Sequence, residues 1–204
     1  MNFKVNTLDI DNEAITNKLL KLKSHWELRS SDFPFYTLGK NAYLDGGGLE
    51  YEGNKGKFNK LLLDNFSDLY NTILTYLSKE LNEPVTLTED LAYPGFHIFE
   101  SDLKFEGIAG NWHTDKPQEK LALIGTNNST VTIVIKLPTL GGGIDWLDSK
   151  DNVQHLEYQE KQIVWHDGLN VHRIAGLKQI VQGEHRITLQ GHLIKRNNKM
   201  ELYW

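Results

Sequence analysis

Four side chains have types and spacing that could do chemistry together. His113 and Asp115 sit in the run Gly110-Asn111-Trp112-His113-Thr114-Asp115, and His172 sits in Asn170-Val171-His172-Arg173-Ile174. Arg186 follows in Glu184-His185-Arg186-Ile187-Thr188. Two imidazoles and one carboxylate can occupy one face of a ferrous ion and leave the opposite face open, the donor set of a non-haem iron centre. Residues i and i+2 of an extended chain point to the same side, so His113 and Asp115 can aim at one point without a bend in the backbone. Alone, such a pair reads equally well as an exposed His and Asp flanking a turn. His172 lies in an apolar, strand-like context, where a single histidine is more often a hydrogen-bonded core residue. Its rival as third ligand is His166, ranked lower because Asp167-Gly168 places it in a turn. Arg186 opens the run Arg186-Ile187-Thr188-Leu189 and shares a face with Thr188. A buried guanidinium needs an anion. Its planar fork suits a carboxylate, and a neighbouring hydroxyl can add a hydrogen bond.

These residues must be carried by a scaffold, and the chain divides by texture. The first part reads as helical. Asp11 can cap a helix running from Glu13 to about Leu28, with Ile15, Leu19, Leu22 and Trp26 along one side. Gly46-Gly47-Gly48 and Gly53 mark loop. A second helix carries Phe58, Leu62, Phe66, Leu69, Ile73, Leu77 and Leu81 on one stripe and ends before Pro84. Such a stripe needs a surface to bury against. Beyond Pro84, short runs rich in Val, Ile, Thr and Phe alternate with Gly and Asn. Strands are expected at 95–99, 130–137, 162–165, 171–174 and 186–194. Helices followed by a run of strands argue for an α+β fold, with helices on one face of an antiparallel sheet closed into a jelly roll. Gly141-Gly142-Gly143 reads as a tight loop, because it lacks the lysine and helix of a phosphate-binding loop.

Composition limits the function classes. The chain has 204 residues, of which 39% are apolar and 24% charged, a globular balance suited to one domain with a real core. A formal charge of −5 and the lack of a dense Lys/Arg block argue against nucleic acid as a partner. The absence of cysteine excludes a disulfide framework, a zinc–thiolate site and a cysteine nucleophile. Met1–Asn6 lacks the apolar stretch of a signal peptide, and no apolar run is long enough to span a membrane. A cytoplasmic protein of one domain is expected, with 1–84 mainly helical support and 90–195 the jelly-roll core.

Taken together, His113-Thr114-Asp115, His172 and Arg186-Ile187-Thr188 resemble the iron(II)- and 2-oxoglutarate-dependent dioxygenases. Leu137-Pro138 and Gly141-Gly142-Gly143-Ile144-Asp145-Trp146 look like the Pro/Gly-rich connection often found between the metal ligands of that family. The resemblance covers roughly residues 90–195. It implies a double-stranded β-helix, a distorted jelly roll with supporting N-terminal helices. It also implies His113, Asp115 and His172 as iron ligands, and Arg186 with Thr188 on the distal carboxylate of 2-oxoglutarate. Relatives more often hold serine at the position of Thr188, which keeps the hydroxyl. The activity implied is oxidative decarboxylation of 2-oxoglutarate with dioxygen, coupled to hydroxylation, desaturation or cyclisation of a small molecule such as an amino acid or natural-product intermediate. Halogenating relatives replace the carboxylate ligand with a small residue, so Asp115 argues against halogenation. A peptide- or protein-modifying oxygenase and a non-catalytic metal-binding jelly roll are the alternatives. Asn111, Trp112, His97, Phe99, Trp146 and Arg173 are candidates to line the site. Lys136 could reach the co-substrate or end its strand at the surface.

Overall fold

Side chains that alternate across one large sheet organise the fold. The computed structural model describes residues 3–46, 48–100, 110–179, 181 and 183–204. In chain order it contains β1 (Lys4–Thr7), α1 (Asn12–Lys21), β2 (Glu27–Leu28), β3 (Phe35–Leu38), α2 (Leu49–Leu81), β4 (Val85–Leu87) and β5 (Gly95–Glu100). There follow α3 (Pro117–Lys120), β6 (Thr126–Lys136), β7 (Leu140–Gly141), β8 (Ile144–Leu147), β9 (Val153–Leu156) and β10 (Gln162–Asp167). The chain ends with β11 (His172–Ile174), β12 (Leu177–Gln179), β13 (His185–Arg196) and β14 (Lys199–Tyr203).

Among the described residues nine strands form the large sheet, with the order β1-β10-β6-β13-β5-β3-β2, β14 attached to β13 and β4 attached to β14. Its pairs are antiparallel except β14 with β4. A three-stranded sheet, β11-β8-β9, and the pair β12-β7 complete the strands. On one face of the large sheet, Ile133 and Ile135 of β6, Ile187 and Leu189 of β13 and Phe96 and Ile98 of β5 meet the helices. The helices contribute Ile15 and Leu19 of α1 and Phe58, Leu62, Phe66, Leu69, Ile73 and Leu77 of α2 to the same core. Each such aliphatic or aromatic side chain stabilises the fold by roughly 1.5–3 kcal/mol when fully buried. On the other face, Val134 and Val164 pack with Ile144 of the small sheet and with Tyr158. Helices, large sheet and small sheet make a jelly-roll-like arrangement with a gap between the two sheets.

Several boundaries differ from the sequence expectation. Asp11 does cap α1, its carboxylate accepting from Ala14 N at 3.0 Å. The helix stops at Lys21, and one 3-10 turn leads into β2, so Trp26 is buried from extended chain rather than from a helix. Helix α2 begins nine residues before Phe58. Gly48 is its N-cap and Gly53 lies inside it, and Gly47 is outside the described residues. It ends on Asn82 in the left-handed conformation at φ 54°, a favoured helix terminator. The first 84 residues are not only helical, because β1 pairs with β10, and β3 pairs with β5. Among the described residues, no helix is long and apolar enough to cross a membrane.

Candidate metal and co-substrate site

The three candidate ligands are brought together by backbone pairing. His113 N–H donates to His172 O, and His172 N–H donates to His113 O, both at 2.9 Å. Gly110 N–H to Ile174 O (2.9 Å) and Asp115 N–H to Gly168 O (2.7 Å) extend this zipper on both sides. The ligand-bearing segment 110–115 is therefore stapled to the stretch that carries His172. Gly168 permits the close approach, since a Cβ there would stand 3.0 Å from both Asp115 Cβ and Thr130 Oγ1. His113 Nε2 lies 3.7 Å from Asp115 Oδ1, and His172 Nε2 lies 3.3 Å from Asp115 Oδ2. One ligand atom from each of the three falls within 4.8 Å of the others, close enough to share an ion.

The same local bond aims both imidazoles. His113 Nδ1 is 2.7 Å from Asn111 O, and His172 Nδ1 is 2.7 Å from Asn170 O. A carbonyl can only accept, so each Nδ1 carries a proton and each Nε2 faces the carboxylate, where it can hold a proton hydrogen-bonded to Asp115 or release it to ligate a metal. Thr130 Oγ1 donates to Asp115 Oδ2 at 2.5 Å and fixes the third donor.

A cavity of about 360 Å³ opens beside the triad, and its lining includes Phe35, Tyr43, Tyr158, Arg173, Arg186 and His192. Arg186 is 3% exposed. Its Nε donates to Gly142 O at 3.2 Å, and its Nη1 has no partner among the described residues. The glycine run thus supplies a carbonyl to the site. Gly142 itself adopts φ +97°, a conformation that favours glycine.

No protein-family model matches the chain, and no curated protein matches it by sequence. Solved structures do match in shape. An N-substituted L-amino acid dioxygenase from Burkholderia ambifaria AMMD, solved also in complex with alpha-ketoglutarate, aligns with a TM-score of 0.61 at 13% identity over 100% of this chain and 86% of that one. The non-haem alpha-ketoglutarate-dependent epimerase SnoN of nogalamycin biosynthesis gives 0.56 at 11% identity over 95% and 79%. A 2OG-Fe(II) oxygenase family oxidoreductase from Burkholderia pseudomallei gives 0.53 at 8% identity over 92% and 81%. The chain has the fold of the iron(II)- and 2-oxoglutarate-dependent oxygenases.

Within this oxygenase fold, the electrostatics of the site follow from burial and pairing. Burial alone would raise the Asp115 carboxyl, but the hydrogen bond from His172, the charges of His192 and His172, and Thr130 hold it well below the usual carboxylate range. Burial likewise opposes charge on His172, yet the hydrogen bond and charge of Asp115 raise it above its ordinary value. Burial lowers Arg186 to about 10. Burial also pushes the Tyr158 hydroxyl up to about 12, against the pull of the Arg186 charge and a hydrogen bond with Thr132.

The other candidates divide. His166 is a buried strand residue of β10 rather than a turn residue. Its ring lines the cavity 4.8 Å from that of His172, but the converging triad uses His172. Thr188 is fully buried on β13, its hydroxyl has no partner among the described residues, and it is not among the described cavity-lining residues. His97 and Arg173 line the cavity. Phe99 packs under Arg186, whose guanidinium carbon is 5.5 Å from the ring centre. Trp146 instead packs on Phe3 with ring centres 4.5 Å apart. Lys136 pairs with Glu160 at 3.1 Å at the surface, which leaves it no role at the co-substrate. Sequence reasoning missed Tyr158, Tyr43 and His192 as lining residues. His192 stands on the Arg186-Thr188-Gln190 alternation and was legible there, whereas Tyr158 lies in a loop with no periodicity to mark it.

Proposed function

We propose that this protein is an iron(II)- and 2-oxoglutarate-dependent oxygenase of a single domain that hydroxylates a small molecule. One observation carries the proposal: a His-Asp-His triad converges beside a buried guanidinium with an uncommitted donor. A buried charge without a partner is costly, so a site built this way expects an anion. The donors fit ferrous iron, with two neutral imidazoles and one carboxylate on one side and open space opposite. The large and small sheets then read as the two halves of a double-stranded β-helix.

His113 and His172 would bind the metal through Nε2 and Asp115 through its carboxylate, with Thr130 fixing that carboxylate. Arg186 would hold the distal carboxylate of 2-oxoglutarate. The Tyr158 hydroxyl would add a hydrogen bond, since Tyr158 lines the cavity and is protonated at any physiological pH, whereas Thr188 is not among the described residues that line it. Bound iron and 2-oxoglutarate would supply dioxygen activation, yielding succinate, carbon dioxide and an oxidised substrate. Phe99 beneath Arg186 would keep water from the buried guanidinium end of the site. Asp115 fills the position that halogenation needs vacant, which favours hydroxylation, desaturation or cyclisation. A cavity of about 360 Å³ is at the small end of ligand sites and must take the co-substrate as well, which favours a small substrate over a peptide.

Anaerobic titration of the iron-loaded protein with 2-oxoglutarate tests the proposal. A visible metal-to-ligand charge-transfer band that saturates with one equivalent is expected. Metal binding without that band would leave a binding module in place of an oxygenase.

A further inference from the structure

One charged residue of the cavity wall has no task in the chemistry above. Arg173 directly follows the third ligand and lines the same cavity as Arg186. It is held from two sides. Its Nε donates to Asp145 Oδ2 at 3.1 Å, and its guanidinium carbon lies 4.1 Å from the ring centre of Trp112. Asp145 is itself fixed, because it is buried in β8 and its other oxygen accepts from His155 Nδ1 at 2.8 Å. The two terminal nitrogens of Arg173 have no hydrogen-bond partner among the described residues.

Stability does not account for this arrangement. Ordering a long side chain costs rotamer entropy, and one ion pair whose guanidinium stays partly exposed returns little of it. Trp112 stays more than one-third exposed to form the stack, so burial of its ring is not the gain either. What the arrangement achieves is a guanidinium with a set plane and a donor edge that no described residue uses. Such an edge matches a carboxylate in two parallel hydrogen bonds. The remaining wall agrees in sign. Among the described lining residues Asp115 is the one carboxylate, and it belongs to the triad. A substrate ammonium group would find no further counter-ion among those residues, whereas a substrate acid finds Arg173.

We propose that Arg173 is the specificity-determining residue that receives the carboxylate of an acidic small-molecule substrate, with Trp112 and Asp145 as its positioning residues. The inference rests on the oxygenase assignment. Two guanidiniums of one cavity divide two acids: Arg186, fully enclosed, takes the co-substrate, and Arg173, nearer the solvent, takes the substrate.

The test uses the manganese(II)-loaded protein with 2-oxoglutarate, titrated by calorimetry with N-acetyl-L-amino acids and their matched primary amides. At least one acid should bind about tenfold or more tightly than its amide. Arg173→Gln should weaken that acid by about 100-fold while leaving the amide and 2-oxoglutarate unchanged. Arg173→Lys should restore part of the acid preference, because it keeps the charge but not the fork. In the iron form, the preferred acid should stimulate succinate release, and Arg173→Gln should raise its KM far more than it lowers kcat. Equal binding of acids and amides, no binding of any acid in a protein that binds metal and 2-oxoglutarate, or an acid preference that survives in Arg173→Gln would each overturn this inference alone. Failure of the wild-type protein to bind 2-oxoglutarate with metal would overturn the oxygenase assignment, and this inference with it.

Discussion

The two faces of the large sheet are made by the same strands and have opposite chemistry. Along β13, Ile187 and Leu189 face the helices, while Arg186, Gln190 and His192 face the cavity. Along β6, Ile133 and Ile135 face the helices, while Thr130 and Thr132 face the cavity. The helix face is apolar. The cavity face holds buried polar atoms that lack partners among the described residues: Arg186 Nη1, Thr188 Oγ1 and both ring nitrogens of His97. An unsatisfied buried group is costly, so one face supplies stability while the other spends some of it on groups a ligand would satisfy. The strand period of two lets one sequence write both programmes at once.

Substitutions on the two faces should therefore separate stability from function. The largest effect is expected for His172→Ala, which removes a ligand from the triad. Succinate release should fall below detection and iron should no longer co-purify, while the thermal midpoint of the metal-free protein shifts little. Activity retained in this variant would transfer the ligand role to His166. Leu189→Ala cuts the other face. It should cost about 2–5 kcal/mol in denaturant unfolding by opening a cavity, with turnover per folded molecule unchanged. If Leu189→Ala instead altered the KM for 2-oxoglutarate, the faces would not be independent.

Arg186→Met comes next. The KM for 2-oxoglutarate should rise on the order of 100-fold as a charged hydrogen-bonding partner is lost. The metal-free protein should be as stable as wild type or more stable, because an uncompensated buried charge has been removed. A large loss of stability would show that Gly142 and the packing on Phe99 are structural reasons enough for Arg186.

The smallest effect is a pH slope. Burial, reinforced by the Arg186 charge, lowers His97 to about 3 in the folded protein. The unfolded chain binds that proton near the ordinary histidine value of about 6.5, so its contribution to stability is complete above that pH and is lost as pH falls toward 3. Between pH 7 and pH 5 the loss should be about 2 kcal/mol, and His97→Phe should flatten the slope. Burial lowers His166 to about 4 as well, so part of the slope should survive in that variant.

Much of the site was legible from residue type and spacing. His113, Asp115 and His172 do converge, and Arg186 is buried with a donor to spare. The apolar stripe of α2 predicted its buried residues from Phe58 to Leu77. Other features were not legible because they depend on partners distant in sequence. β1 is four residues with one partly buried position and little pattern of its own, and it becomes a strand by pairing with β10. Gly53 reads as a breaker, yet α2 runs through it. His166 looked like a turn residue because of the Asp-Gly after it, whereas pairing with β6 carries the strand through Asp167.

The order of residues by itself determined which donors exist, which of them alternate onto a common side and where the long helix buries its stripe, because these depend on periods of two and 3.6 residues. Only the tertiary structure decided that segment 110–115 zips to His172, that Gly142 rather than a carboxylate meets Arg186, and that Trp112 and Asp145 hold Arg173 at the cavity wall. Those contacts join residues far apart along the chain. Their existence depends on strand register and sheet closure, which no local pattern encodes.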